Sequence, residues 1–514
     1  MTQGGSFKWV IAGTVMVGNI MAVLDSSIVN VALPEMAGNL GATIEEITWV
    51  VTGYILANVL IMPIVGLLSA RFGRKRLYLL AIACFTLTSM LCGLAGTLPA
   101  MVACRMVQGL SGGVLITVPQ AILRESFPPA EQGIAMGVYG MGVVLAPAIG
   151  PTLGGWLTDH YSWPWVFYIN VPIGLLNIIM VQRLIEDPPY LERSRAPIDF
   201  PGLGFMIVGL GALQLMLEEG QRQDWFESGF IVRLAIIAGL GLVAFVWREL
   251  TTSRPAVDLS ILGNLHFSAA TVMGGVMGAG LSGVLFILPL FLQNLLGYTA
   301  MESGLALMPR SAVMLVAMPV AGRLYNRMGP RLMVALGLGL IAFGYWDLAR
   351  LTTLVGFWDL AWPQAWQGVG FSFLFAALST SALAAVARER MTAATGLYNV
   401  VRQVMGSIGI AIMATMVTHG EATYHAILAE DMQPAVAGRW LASLTRLVER
   451  AGAGPALAHR KALGLLDQEV WRQATVLAYN HIFALVALVF VLIAPLILLL
   501  PRSSGAGGME TMVD

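Results

Sequence analysis

What most constrains this chain is a series of apolar runs, each about 20 residues long and separated by short polar breaks. They fall near 9 to 33, 47 to 69, 77 to 97, 99 to 122, 133 to 157, 164 to 185, 201 to 218, 230 to 247, 267 to 294, 302 to 322, 332 to 353, 361 to 386, 392 to 418 and 475 to 500. A bilayer core about 30 Å thick takes about 20 helical residues to cross, so each run predicts one transmembrane helix, fourteen in all. Oil offers the backbone no hydrogen-bond partners, which makes the expected fold class all-α and polytopic. Charged residues at 11% against 57% hydrophobic exclude a soluble domain of this size. The formal net charge of zero leaves no basic footprint for nucleic acid. Cys84, Cys92 and Cys104 all fall inside apolar runs and read as packing residues. The first run begins behind Lys8, is interrupted by Asp25 and Asn30, and ends at Leu33 and Pro34 without a small-residue cleavage site, so a retained span is expected.

Basic residues fix the orientation. With the N-terminus in the cytoplasm, the inner segments hold Lys8, Arg71, Arg74, Lys75, Arg76, Arg124, Arg183, Arg193, Arg195, Arg248, Arg254, Arg323, Arg327, Arg331, Arg388, Arg390 and Arg502. The short outer loops hold Arg222 and Arg350, so both termini are expected inside. The chain also repeats itself. GLLSARFGRKR from Gly66 and GRLYNRMGPR from Gly322 match at Gly66/Gly322, Leu68/Leu324, Arg71/Arg327, Gly73/Gly329 and Lys75/Arg331, always 256 residues apart. Two parallel halves related by an axis along the membrane normal account for this, and they suit a transporter that rocks.

The run from Gly137 to Gly155, GVYGMGVVLAPAIGPTLGG, carries Gly142, Ala146, Gly150 and Gly154 at every fourth residue. On a helix these make one smooth stripe that another backbone can approach. Pro147 and Pro151, also four apart, each remove a backbone donor and predict a bend.

In its glycines leading to GP-x-x-GG, this run resembles the antiporter motif of the major facilitator superfamily, at Gly137, Ala146 (where Gly is usual), Gly150, Pro151, Gly154 and Gly155. Gly66, Arg71, Gly73 and Arg74 resemble the superfamily's loop between helices two and three, with Ala70 in place of its acidic residue. Ala70 weakens the case for a carboxylate latch in this loop, and its arginines are expected on lipid phosphates or helix C-termini. LDSSIVNVALP, WPWVFYINVPIGLL and DFPGLGFMIVGLG resemble the fourteen-helix drug:proton antiporter branch, EmrB/QacA-like, over nearly the full length. The resemblance implies a major facilitator fold of 6+2+6 helices. Its expected units are an N-terminal bundle at 1–186, a linker with two inserted helices at 187–258, and a C-terminal bundle at 259–514. The hydrophilic segment 419–474 is expected outside. It either docks a periplasmic adaptor and outer-membrane channel or caps the exporter as a self-contained hairpin.

Ionisable groups within spans are costly and should face the interior. Asp25 and Arg105 fall at similar depths and can pair. Two roles fit Asp25, a proton carrier biased by Arg105 or a fixed structural pair with it. Aligning Gln108-Gly109 with Gln367-Gly368 puts Gln364 opposite Arg105, which places coupling in the first half. Arg310 and Asp347 are expected to pair with each other. Arg402 lies mid-span without an evident carboxylate, and either attracts anionic substrate or bonds carbonyls. Asn30, Gln108, Arg310, Asp347 and Arg402 are the candidate cavity residues. The 28 Met and 13 Trp suit bulky apolar ligands.

The expected function is proton-driven efflux of amphipathic compounds through alternating access. Protons are the coupling ion, and no cofactor, metal site or catalytic residue is expected. The rivals are a dedicated exporter of one metabolite or fatty acid, and a non-transporting membrane sensor or scaffold.

Overall fold

The computed structural model describes residues 7–188, 198–432 and 434–502. Arg193, Arg195 and most of the linker expected at 186–198 lie outside the described residues. Twelve spans stand as single helical stretches. The first six are Phe7–Leu40, Ile44–Phe72, Arg74–Gly93, Leu98–Ser126, Pro129–His160 and Trp165–Leu184. The seventh to ninth are Phe200–Glu219, Gly229–Thr251 and Leu265–Leu295, and the twelfth to fourteenth are Phe357–Ala384, Arg388–Glu430 and Pro455–Leu499. Met301–Leu348 holds the tenth and eleventh, divided at Gly329, whose φ of 75° and ψ of 161° no helix contains.

Gly73, with φ 86° and ψ 148°, makes the corresponding break between the second and third spans. This backbone region is essentially closed to residues with a Cβ, so two glycines 256 positions apart do the same work in the two halves. The repeat extends to the basic residues that follow. Lys75 Nζ donates to the Gln182 carbonyl at the end of the sixth span (2.7 Å). Its counterpart Arg331 donates to the Leu500 and Leu498 carbonyls after the fourteenth (2.7 and 2.6 Å). Both therefore bind helix C-termini. Arg74 does not: it is buried and pairs with Glu125, at the end of the fourth span of its own bundle.

Both described ends of the chain sit on one face. Lys8 pairs with Glu131 there, and the residue 502 carbonyl lies beside Gly329. On this terminal face the two bundles meet backbone to backbone. Gly66 of the second span lies against Ala393 of the thirteenth, where an added Cβ would come within 2.7 Å of the Ala393 Cα. The pseudo-equivalent Gly322 lies against Gly133 of the fifth, 2.8 Å from its carbonyl carbon on the same measure. Asn326 donates to the Ala130 carbonyl, and somewhat deeper Asn399 donates to Gln120 (2.8 Å) and Tyr139 stacks on Phe375 (6.1 Å between centroids). Of the inserted pair, the seventh span packs on both the second and the thirteenth, and the eighth packs on the seventh.

Two boundaries differ from expectation. The first helix passes through Pro34 and runs on to Leu40, because one missing donor at a helix end facing polar surroundings costs little. Segment 419–474 is a helical projection rather than a loop. The thirteenth helix continues to Asp431 and the fourteenth starts at Pro455, so at 41 and 38 residues each is far longer than the roughly 20 a bilayer needs. Helix Pro434–Arg450 packs against the latter. His425 links the two extensions by its bond to Asp467 (2.9 Å) and its stack on Trp471 (4.2 Å).

Candidate functional site

The fifth span explains the four-residue stripe. Gly142, Ala146, Gly150 and Gly154 face the first span. The Ala146 carbonyl accepts from Ser27 (3.3 Å), and a Cβ on Gly154 would lie 2.9 Å from both the Ile28 carbonyl and its side chain. Gly155 is looser, its nearest neighbour being Val31 at 3.9 Å. Pro147 and Pro151 lie on the exposed side, and the helix is continuous through both. Near the terminal face the same helix turns a second smooth surface to the other bundle, where Gly137 meets the Met318 carbonyl. One helix thus holds Asp25's helix in register and also forms part of the joint between bundles. Of the loop residues, Gly66 lies in that joint, Gly73 shapes the turn beside it and Arg71 is exposed on the terminal face.

Asp25, at the centre of the first span, is fully buried, as are Arg105, Gln108 and Asn170. Arg105 Nη1 donates to one carboxylate oxygen of Asp25. The other oxygen accepts from Gln108 Nε2 (3.1 Å) and Asn170 Nδ2 (2.9 Å). Arg105 also donates to Gln108 Oε1 (2.8 Å) and to the Val50 carbonyl (3.1 Å), and lies 4.2 Å from the Tyr54 ring centre and 5.7 Å from that of Phe167. Asn170 is steadied by Ser89 (3.0 Å), and Tyr54 by the Ala22 carbonyl (3.0 Å). Five spans thus converge on one ion pair. Chemically this is a carboxylate both of whose oxygens accept hydrogen bonds, inside a low-dielectric shell that makes protonation depend strongly on which side gains water.

The expected proximity of Asp25 and Arg105 is therefore met in the geometry, and Gln108 joins them. Asn170, Tyr54, Ser89 and Phe167 were not singled out from sequence. Asn170 stands within WPWVFYINVPIGLL, where a lone Asn between apolar residues was the available signal.

The expected Arg310–Asp347 pair does not form. Arg310 is buried and donates to Gln364 Oε1 (3.3 Å), which in turn donates to the Ala306 and Leu360 carbonyls (2.6 and 3.1 Å). Asp347 lies at the distal end of the eleventh span, lining a cavity of about 230 Å³ with Arg350, Asp359, Trp358 and Trp362. Equal depth along two helices did not make their side chains face each other. Arg402 is half-buried on the thirteenth span, its guanidinium 5.5 Å from the Phe375 ring centre. Asn30 is exposed, one helical turn and a half beyond Asp25.

Two six-span bundles meeting at one face and a sealed acid–base pair within the first define a membrane transporter of the alternating-access kind. The sequence profile of the Major Facilitator Superfamily matches residues 15–410, and the chain belongs to that family. It is 34% identical over 510 residues to the fatty acid resistance protein FarB of Neisseria gonorrhoeae, covering 98% of this chain and 99% of that one. It is 34% identical over 490 residues to the multidrug export protein EmrB of Escherichia coli strain K12, covering 95% and 94%. Among solved structures, the human organic anion transporter MFSD10 (TETRAN) shares the fold at a TM-score of 0.62 with 13% identity, over 95% of this chain and all of that one. The proton:xylose symporter XylE does so at 0.58 with 12% identity, over 95% of each. The chain is a multi-pass protein of the bacterial inner membrane, as its family and its spans require.

Proposed function

We propose that this protein is a proton-driven exporter of hydrophobic and amphipathic compounds, without enzymatic activity and with its terminal face in the cytoplasm. On this reading the described state faces outward, closed by Gly66–Ala393 and Gly133–Gly322, with a cleft between the bundles that opens at the distal face and has Arg402 at its floor. The observation that carries it is the carboxylate of Asp25, fully buried yet one helix away from the fifth-span surface on which the bundles move. Rocking the bundles alters which face supplies water to Asp25. A proton taken from outside loosens the Arg105 contact, and one released inside restores it. Multidrug export by a relative 34% identical over nearly the full length supports the cargo class.

The projection built on the thirteenth and fourteenth helices exposes Trp440, Leu447 and Leu457. Such a surface suits an adaptor that passes cargo to an outer-membrane channel. The dedicated fatty acid exporter is favoured by Arg402, a cation at the cleft floor, and by the resistance named for the gonococcal relative. Purified protein in weakly buffered detergent decides between these readings and a sensor. Adding cargo should release protons from the wild type and not from Asp25→Asn. Binding without proton exchange in the wild type would mark a sensor, and activity confined to fatty acids would mark the dedicated exporter.

A further inference from the structure

The inserted spans carry a polar cluster that the Asp25 chemistry does not use. Gln214, fully buried on the seventh span, donates through Nε2 both to Glu218 (2.8 Å) and to Ser407 of the thirteenth span (2.9 Å). One turn further, Trp225 and Gln221 bond Thr415, and Gln221 bonds Thr418. Arg222 returns to Glu219 (3.4 Å) and reaches Thr48 at the start of the second span (2.9 Å). The hairpin is therefore hydrogen-bonded mainly to the thirteenth span while its helix also packs along the second.

The two neighbouring carboxylates are in unlike situations. Glu219 is buried and offset by Arg222. Glu218 is half-buried and, among the described residues, forms no ion pair. Beside it the Gln214 Oε1, on a side chain with no exposure, has no hydrogen-bond donor at all. An ionised carboxylate and an amide oxygen are both acceptors, and the group missing between them is a donor bearing positive charge. A proton on Glu218 would supply only part of this. An amine head supplies both the charge and several N–H donors.

We propose that Glu218, with the Gln214 carbonyl oxygen beside it, binds the ammonium head of amine-bearing amphiphiles and thereby selects cationic cargo at the mouth of the cleft. This rests on the exporter reading and adds to it the head-group chemistry. Arg402 at the floor and Glu218 at the mouth then give one cleft sites of both signs, some distance apart.

Three probes with the same twelve-carbon tail test it: dodecylammonium, dodecanol and dodecanoate, bound to the full-length protein in nonionic detergent. The wild type should hold dodecylammonium at least about tenfold more tightly than dodecanol. Glu218→Gln should erase that preference without changing dodecanol binding, and Glu218→Asp should keep part of it. A wild type without the amine preference, an unaltered preference in Glu218→Gln, or an equal loss for all three probes would each overturn the assignment. Binding here is measured without a gradient, so Asp25→Asn should retain the amine preference. Failure of the exporter reading shows up separately, as transport that ignores an imposed pH gradient in the wild type.

Discussion

Removing both charges of the Asp25–Arg105 pair should be no more damaging than removing either one alone. Arg105→Gln leaves a buried carboxylate with only Gln108 and Asn170 as donors. Losing one partner of a buried pair costs about 3 to 5 kcal/mol. Asp25→Asn should fall at the lower end of that range, because the guanidinium keeps the Gln108 and Val50 oxygens and the Tyr54 and Phe167 faces. Part of its cost is specific. One carboxylate oxygen accepts from Arg105 and the other from two amides, so the new NH2 must face a donor whichever way it turns, worth about 1 to 3 kcal/mol. The double variant Asp25→Asn with Arg105→Gln buries no net charge. Its loss should be about that of one single variant, which gives a coupling energy of about 3 kcal/mol, the upper end for residues in contact. Equilibrium unfolding of the four proteins in mixed micelles with increasing SDS measures the cycle. Additivity within about 0.5 kcal/mol would refute the account of the pair as one electrostatic unit.

The other tests follow from backbone geometry and the projection. Gly73→Ala and Gly329→Ala should each destabilise by about 1 to 3 kcal/mol in the same micelle titration, since both sit at positive φ with extended ψ. Gly66→Val places a side chain where Ala393 backbone lies, so it should shift the population away from closure at the terminal face. Spin-label distances between residues 72 and 388 should lengthen in that variant, and unchanged distances would contradict the assigned joint. Replacing 432–452 by a short Gly/Ser linker should leave proteoliposome transport within about twofold of wild type while abolishing resistance in cells, which separates the pump from its adaptor.

Much of the architecture was legible because each span needs nearly the same length of apolar chain, and because Gly73/Gly329 and Lys75/Arg331 repeat at one offset. The projection was legible only as a hydrophilic segment and not as a continuation of two spans, since its helices leave the bilayer and turn polar without any local break until Asp431. The site was legible where motifs concentrate polar residues in oil, as at Asp25, Arg105 and Gln108. It was not legible at Tyr54 and Ser89, residue types common in any span, whose roles arise only from the crossing of helices. Arg310 and Asp347 show the converse. Depth can be counted from sequence, but the face a side chain occupies at that depth cannot. Glu218 escaped because the seventh apolar run was ended at that residue, whereas the span continues through Glu219 and its acid stays within the helical bundle.

The most direct test of the account is uphill transport in proteoliposomes of fixed orientation, driven only by an imposed pH gradient. The wild type should accumulate cargo in proportion to the gradient. Asp25→Asn should lose that response while still exchanging cargo down its own gradient, because the bundles can rock without the proton. Gradient-driven accumulation by Asp25→Asn equal to the wild type would contradict the central claim.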